Sequence, residues 1–152
     1  MNVLGVCTSP DGIRWALASG TRSLPQLRDM ERNILRLPDI EDETAKLMNV
    51  LRFLSTLIKE KDIEKVVVAT VGHSQYGGPS TVRVKIECVV QLAAAETAVA
   101  VELIAPKTLK AREKKLSAEA GGSAEEILNN SHDFSPRAGR DAVIAAWAGL
   151  PE

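Results

Sequence analysis

Lys65-Val66-Val67-Val68-Ala69-Thr70-Val71 is the stretch that decides the fold. Consecutive β-branched residues followed by Ala, Thr and Val leave no polar face, which suits a strand covered on both sides. Such a strand belongs in a parallel arrangement reached by helical crossovers, and the flanking sequence supplies them. Upstream, Leu47, Val50, Leu51, Leu54, Leu57 and Ile58 recur at helical spacing. Glu41, Asp42 and Glu43 crowd the start of that pattern, where the helix dipole favours negative charge. The spacing predicts a helix from about Asp42 to Lys61. Downstream, Ser80 or Thr81 caps a second long helix carrying Val82, Ile86, Val89, Val90 and Ala93. Val99 to Ile104 is the next strand, ended by Pro106.

The N-terminal part has a different grammar. Val3 to Cys7 is a short apolar run, and Pro10-Asp11-Gly12 is turn chemistry, with proline presetting φ. Ile13 to Ala18 resumes the pattern around Trp15, so the opening reads as a β-hairpin. A third strand is expected at Asn33 to Leu37, after a connection in which Leu24-Pro25 argues against a regular element. Beyond Pro106 a basic helix runs through Lys107, Lys110, Arg112, Lys114 and Lys115. Ala120-Gly121-Gly122-Ser123 breaks it, a short helical piece follows around Glu125 to Leu128, and a last helix runs from Arg137 to Leu150. The order is β-β-β-α-β-α-β-α-α. Strands joined by short connections pair antiparallel, whereas those reached by helices pair parallel. The expectation is a mixed five-stranded α/β sheet in the order 3-2-1-4-5, with helices on both faces.

Bulk properties narrow the class. A chain of 152 residues fits one domain, 1–152, with a real core. With 45% hydrophobic and 26% charged residues, it has the balance of a globular protein. A formal charge of −1 gives no overall pull toward nucleic acid or membrane, so any basic surface must be local. Cys7 and Cys88 make no disulfide framework, and no apolar run approaches the roughly 20 residues that span a bilayer. Met1-Asn2-Val3 leads straight into a strand without a signal-peptide pattern. The expected location is the cytoplasm, with no membrane partner.

Asp141 is the most informative single residue. Ser135-Pro136 is a strong helix start. At helical spacing Asp141 then shares its stripe with Ala138, Ile144, Ala145 and Ala148. Small residues let a helix approach its neighbour closely, so Asp141 should point into packed protein or a cleft. There it needs a donor, a cation or a metal. Two readings stay open: an acidic residue favoured near a helix N-terminus, or the remnant of an acidic active site.

Several pieces together resemble a known family. They are Val3-Leu4-Gly5-Val6 opening a hairpin, Lys65-Val66-Val67-Val68 leading into a glycine-containing loop, and Arg83-Val84-Lys85-Ile86-Glu87 in the helix after it. Leu103-Ile104-Ala105-Pro106 followed by Lys107 and Lys110 is a further piece, and Asp141-Ala142-Val143-Ile144-Ala145 in the last helix completes the set. In this order and spacing the chain resembles the RuvC-type Holliday-junction resolvase branch of the ribonuclease-H-like superfamily, most of all small relatives with a degenerate acidic site. The resemblance implies the ribonuclease-H-like fold. In active members it also implies an Asp near the end of the first strand, a Glu at the end of the fourth and one or two Asp on the last helix. Those carboxylates hold two divalent metals about 3.5–4 Å apart.

Here the first position falls on Cys7 and the second on Ala69 or Thr70, so only Asp141 matches. A thiol and a hydroxyl do not replace two negative charges around a hard cation. Asp11 and Glu87 would supply charge only with an unusual bend of the hairpin or second helix. The expectation is a degenerate domain that binds a partner, with no cofactor. The partner would be structured DNA or RNA, or a protein, and the domain a homodimer. The alternative is a divergent metal-dependent nuclease using Mg or Mn at Asp141, with Cys7 and Thr70 beside it.

Other constellations are weaker. The loop Gly72 to Ser80, with His73, Ser74, Gly77 and Gly78, follows a strand and opens a helix, where backbone amides cradle anions. It lacks the Gly-Lys-Ser/Thr ending of a P-loop, and a plain connection capped by Ser80 is the favoured reading. In this fold the loop would lie at the carboxyl ends of the parallel strands, beside Cys7 and Asp141, with Asp11 another loop residue near the site. His73 and His132 have no partner at metal-ligand spacing, so zinc is not expected. Cys7, His73 and Asp141 would form a thiol-imidazole-carboxylate set only if they converged, and a buried structural cysteine is favoured. Lys107, Lys110, Lys114 and Lys115 read as the solvated face of an amphipathic helix, and under the resemblance as a phosphate-binding surface. With aromatics at 3%, nucleic acid would be held by its phosphates rather than by base stacking.

Overall fold

The computed structural model describes residues 1–9, 11–28, 33–71, 81–128 and 137–152. β1 (Asn2–Ser9) and β2 (Gly12–Gly20) form the N-terminal hairpin, followed by β3 (Pro25–Arg28) and β4 (Ile34–Arg36). Then come α1 (Glu43–Glu60), β5 (Lys65–Ala69), α2 (Thr81–Glu96) and β6 (Ala100–Ile104). The chain ends with α3 (Pro106–Ala120), α4 (Ala124–Ile127) and α5 (Arg137–Gly149).

The sheet runs β3-β2-β1-β5-β6, with β4 also paired to β2. β1, β2, β3 and β4 pair antiparallel, whereas β1–β5 and β5–β6 are parallel. The mixed sheet and its expected order therefore hold, with one correction. The expected third strand is β4, on residues 12–14 of β2, and a further strand, β3, pairs with residues 17–20 of β2. The sheet is six-stranded rather than five-stranded. Leu24-Pro25 misleads because proline's missing N–H costs nothing at the first residue of an edge strand, and Pro25 sits there opposite Gly20.

Alternation along the central strands divides the core in two. Leu4, Val6, Val66 and Val68 face α1 and α2, where they meet Val50, Leu54, Ile86, Val90 and Ala93. Val3, Cys7, Val67 and Ala69 face α5 and α3, meeting Ala142, Ala145, Ala146, Leu109 and Leu116. β5 is thus covered on both faces, as its uninterrupted apolar run predicts. Asp42 caps α1 by accepting the Ala45 N–H at 3.2 Å. Pro106 both ends the β6 segment and stands in the first turn of α3.

α5 is the central helix of the second layer, packed on β1, β2 and β5. Residues 142–148 are all buried, so its apolar surface is wider than one stripe. Gly5 lies between Val3 and Cys7 on the α5 face of β1, and a Cβ there would stand 2.0 Å from the Ala142 carbonyl oxygen. At its far end the helix is tied to the β2–β3 connection. Trp147 Nε1 donates to the Arg22 carbonyl at 2.9 Å, and Arg22 Nη2 donates to the Ala148 carbonyl at 3.0 Å. Among the described residues no helix is long and apolar enough to cross a membrane.

Candidate functional site

The carboxyl ends of the parallel strands meet in register. Cys7 of β1 lies beside Ala69 of β5, which lies beside Ile104 of β6. All three are buried in the layer under α5. Thr70, the residue after β5, is half-buried and turned to β6. Its hydroxyl donates to the Ile104 carbonyl at 3.2 Å, and its N–H donates to the same oxygen at 2.9 Å. Where the resemblance implies carboxylates, the strand ends therefore carry a thiol, a methyl group and a hydroxyl bonded to backbone.

Of the two further acidic residues, Asp11 is held in the hairpin turn, whereas Glu87 reaches the strand ends. Asp11 accepts from Ser9 Oγ at 2.7 Å and pairs with Arg36 at 3.2 Å. The Ser9 hydrogen bond is the main cause that lowers its pKa. Glu87 accepts the Val71 N–H at 2.8 Å, just beyond β5. Burial pushes its pKa up, against the Val71 hydrogen bond and the nearby Arg83 charge. Arg83 in turn donates to the Thr8 carbonyl at 2.6 Å and to the Thr8 hydroxyl at 3.3 Å. Glu87 thus serves a clamp that joins the ends of β1 and β5 to the first turns of α2.

Among the described residues no three His, Cys, Asp or Glu side chains come together in a group able to hold a metal ion. Divalent magnesium needs several oxygen ligands, mostly anionic, and among the described residues Glu87, already engaged by the Val71 N–H, beside Cys7 and Thr70 is too sparse a donor set for it.

Asp141 is partly buried and opens onto a cavity of about 480 Å³ between α3 and α5. Pro106, Lys107, Leu109, Lys110 and Glu113 of α3 form one wall, and Arg140 and Asp141 of α5 form the other. Of the two settings expected for Asp141, packed protein or a cleft, the side chain lines a cleft. Arg140, which sequence reasoning passed over, is the most heavily engaged side chain there. It donates to Glu113 on α3 and to Glu125 beside it in α4. The Glu113 hydrogen bonds, then the Glu125 one, raise its already high pKa, and the Arg140 hydrogen bond lowers that of Glu125. These partners are 27 and 15 residues away on separate helices, so no local spacing signals the contact.

The four lysines of the basic helix divide between its flanks. Lys107 and Lys110 line the Asp141 cavity. Lys115 lines a second cavity, of about 310 Å³, with Arg22, Glu102 and Arg112, and pairs with Glu119 at 3.7 Å. Lys114 is exposed and lines neither of these cavities. His73, Ser74, Gly77 and Gly78 lie outside the described residues, as do Ser80, His132 and Ser135-Pro136.

Comparison with known proteins places the chain. It belongs to the family described as "Protein of unknown function (DUF3010)", which matches residues 1–133. No curated protein matches the sequence. Among solved structures, Thermus thermophilus RuvC is similar at a TM-score of 0.77 and 16% identity, covering 97% of this chain and 92% of that one. T. thermophilus RuvC in complex with a Holliday junction substrate is similar at 0.74 and 16%, covering 97% and 91%. The yeast mitochondrial Holliday junction resolvase is similar at 0.61 and 14%, covering 96% and 76%. At these identities the likeness is one of fold, and the fold is the RuvC-like, ribonuclease-H-like one.

Proposed function

We propose that the chain is a catalytically degenerate ribonuclease-H-like domain that binds structured nucleic acid by its phosphates, as a homodimer. The observation that carries this reading is the contrast between two sets of side chains. The strand ends carry Cys7, Ala69 and a backbone-bonded Thr70, with Glu87 drawn in to the Val71 N–H, a set poor in ligands for a hard dication, while Lys107 and Lys110 line a cavity beside Asp141. Cationic groups at a cleft are suited to phosphodiesters, whose contacts position a protein without reading bases. T. thermophilus RuvC, which shares the fold, has been captured with a Holliday junction substrate, so a four-way DNA junction is the appropriate probe. The dimer is supported by exposed apolar side chains on α2 and the edge strand β6, where Leu92 is 60% and Leu103 48% accessible.

The test is fluorescence anisotropy with a labelled four-way junction across a salt series. Replacing Lys107 and Lys110 together by Gln should weaken binding and flatten the slope of log affinity against log salt by about 0.9 per lost phosphate contact. Preference among junction sequences should not change. Failure to bind at low salt would overturn the nucleic-acid reading. Junction cleavage that requires Mg or Mn and vanishes in Asp141→Asn would overturn degeneracy in favour of a divergent nuclease. Sedimentation as a monomer at micromolar concentration would remove the dimer.

A further inference from the structure

Arg140 stands next to Asp141 on α5, and its guanidinium is divided between two carboxylates in a way that separates anchoring from occupancy. Nε donates to Glu125 Oε1 at 2.7 Å. The two terminal nitrogens both go to Glu113, Nη1 to Oε2 at 3.1 Å and Nη2 to Oε1. This is the fork-to-fork geometry that a guanidinium also offers to a phosphate. The pair is not sealed away. The Arg140 side chain is 31% and that of Glu113 22% accessible, and both line the cavity that holds Lys107 and Lys110.

We infer that Arg140 is a latent phosphate-binding residue of this cavity, and that Glu113 is the built-in anion occupying its fork until a phosphodiester competes for it. The inference rests on the phosphate-binding reading proposed above and adds the group that regulates it. Glu125 holds Nε independently of Glu113, so the fork stays aimed when Glu113 leaves. Exchange trades one anion for another on the same two donors, and Glu113 is near enough to solvent to be rehydrated. Lys107 and Lys110 line the same cavity and supply further positive charge to a phosphate there.

The experiment measures four-way junction binding by anisotropy in wild type, Glu113→Gln, Glu126→Gln and the Glu113→Gln/Arg140→Gln double variant. Glu126 is an exposed acid on α4 and controls for the simple loss of a negative charge. Glu113→Gln should bind about tenfold tighter, as expected for a hydrogen bond to a charged group. Its salt slope should steepen by about 0.9. Glu126→Gln should change little, and the double variant should lose the gain. In parallel, inorganic phosphate should raise the melting temperature of Glu113→Gln more than that of wild type or the double variant. Should Glu113→Gln fail to fold, Glu113→Asp withdraws the carboxylate by one methylene and should give a smaller gain of the same kind. Equal junction binding by wild type and Glu113→Gln overturns the inference and leaves the proposed function standing. Absence of junction binding in every variant, with the phosphate shift present in Glu113→Gln, overturns the nucleic-acid reading and leaves the latent site. Absence of both removes both.

Discussion

Gly5→Ala is the sharpest test of how α5 is seated. Gly5 is in β1 directly beneath the helix, and an added Cβ would lie 2.0 Å from the Ala142 carbonyl oxygen and 2.5 Å from the Ala146 nitrogen. Real Cβ atoms essentially never approach closer than 3.0 Å, so the two backbones must part by at least 1.0 Å. The obstructing atoms are main chain, and no side-chain rotation clears them. Nor is the helix free to slide. Residues 142–148 are buried, and at Gly149 the helix end meets Val3 and Val67 so closely that a Cβ would come within 2.6 Å of both. Overpacking a core costs about 1–3 kcal/mol, and contact with backbone on two sides puts this case at or above the upper end. Alanine recovers roughly 0.5–1 kcal/mol through its lower entropy cost in a strand, leaving a net loss of about 2–3 kcal/mol. For a chain of this length that is a fall in melting temperature of roughly 5–10 °C. Urea unfolding followed by circular dichroism should show a lower midpoint at unchanged slope. A loss below about 1 kcal/mol would refute the close seating of α5 on β1.

Two further perturbations test other parts of the argument. Gly121 ends α3 at φ 81° with nothing near its Cβ position, so Gly121→Ala should cost about 1 kcal/mol by backbone conformation alone, read as a shift in the urea midpoint. Glu102 is desolvated by burial, but hydrogen bonds from Lys65 and Arg112 outweigh that and lower its pKa below the usual 4.5. A depressed carboxylate contributes stability that is complete above its unfolded pKa and is lost as pH falls through the folded one. The melting temperature of wild type should therefore fall more steeply below about pH 4.5 than that of Glu102→Gln, and parallel acid limbs would contradict the pairing.

What the sequence discloses depends on how local the cause is. The run at Val66 to Val68 announces a doubly covered strand because burial on both faces removes the polar alternation that every other environment imposes. Leu47, Val50, Leu54 and Ile58 place α1 because one helix face is enough to specify it, and Asp42 marks its start. Asp141 is singled out for the same reason, since a carboxylate among small apolar residues on one helix needs a partner in packed protein or a cleft, though the sequence does not say which. β3 is missed because Pro25 reads as a breaker until it is known to sit at a sheet edge, which is a property of the neighbouring strand. The Arg140 clamp is missed because Glu113 and Glu125 meet it only after three helices have packed. Thr8, Arg83 and Glu87 are joined across the layer in the same way. Pairing between distant elements leaves no period in the sequence.

The charge pattern around α3 shows why any anion binding must be local. Glu102 takes up Lys65 and Arg112, Glu113 and Glu125 take up Arg140, and Glu119 takes up Lys115. With a formal charge of −1 for the whole chain, no long-range field draws a polyanion in. At physiological salt the reach of any one charge is about 8 Å, so an approaching phosphate feels the cavity only when nearly in contact with it. Discrimination then depends on which cations are already neutralised by carboxylates at that range. Lys107 and Lys110 have no carboxylate within ion-pair distance among the described residues, whereas Arg140 has two. Under the latent-site proposal, affinity follows the competition between a phosphate and Glu113 for the same guanidinium more than the number of basic residues.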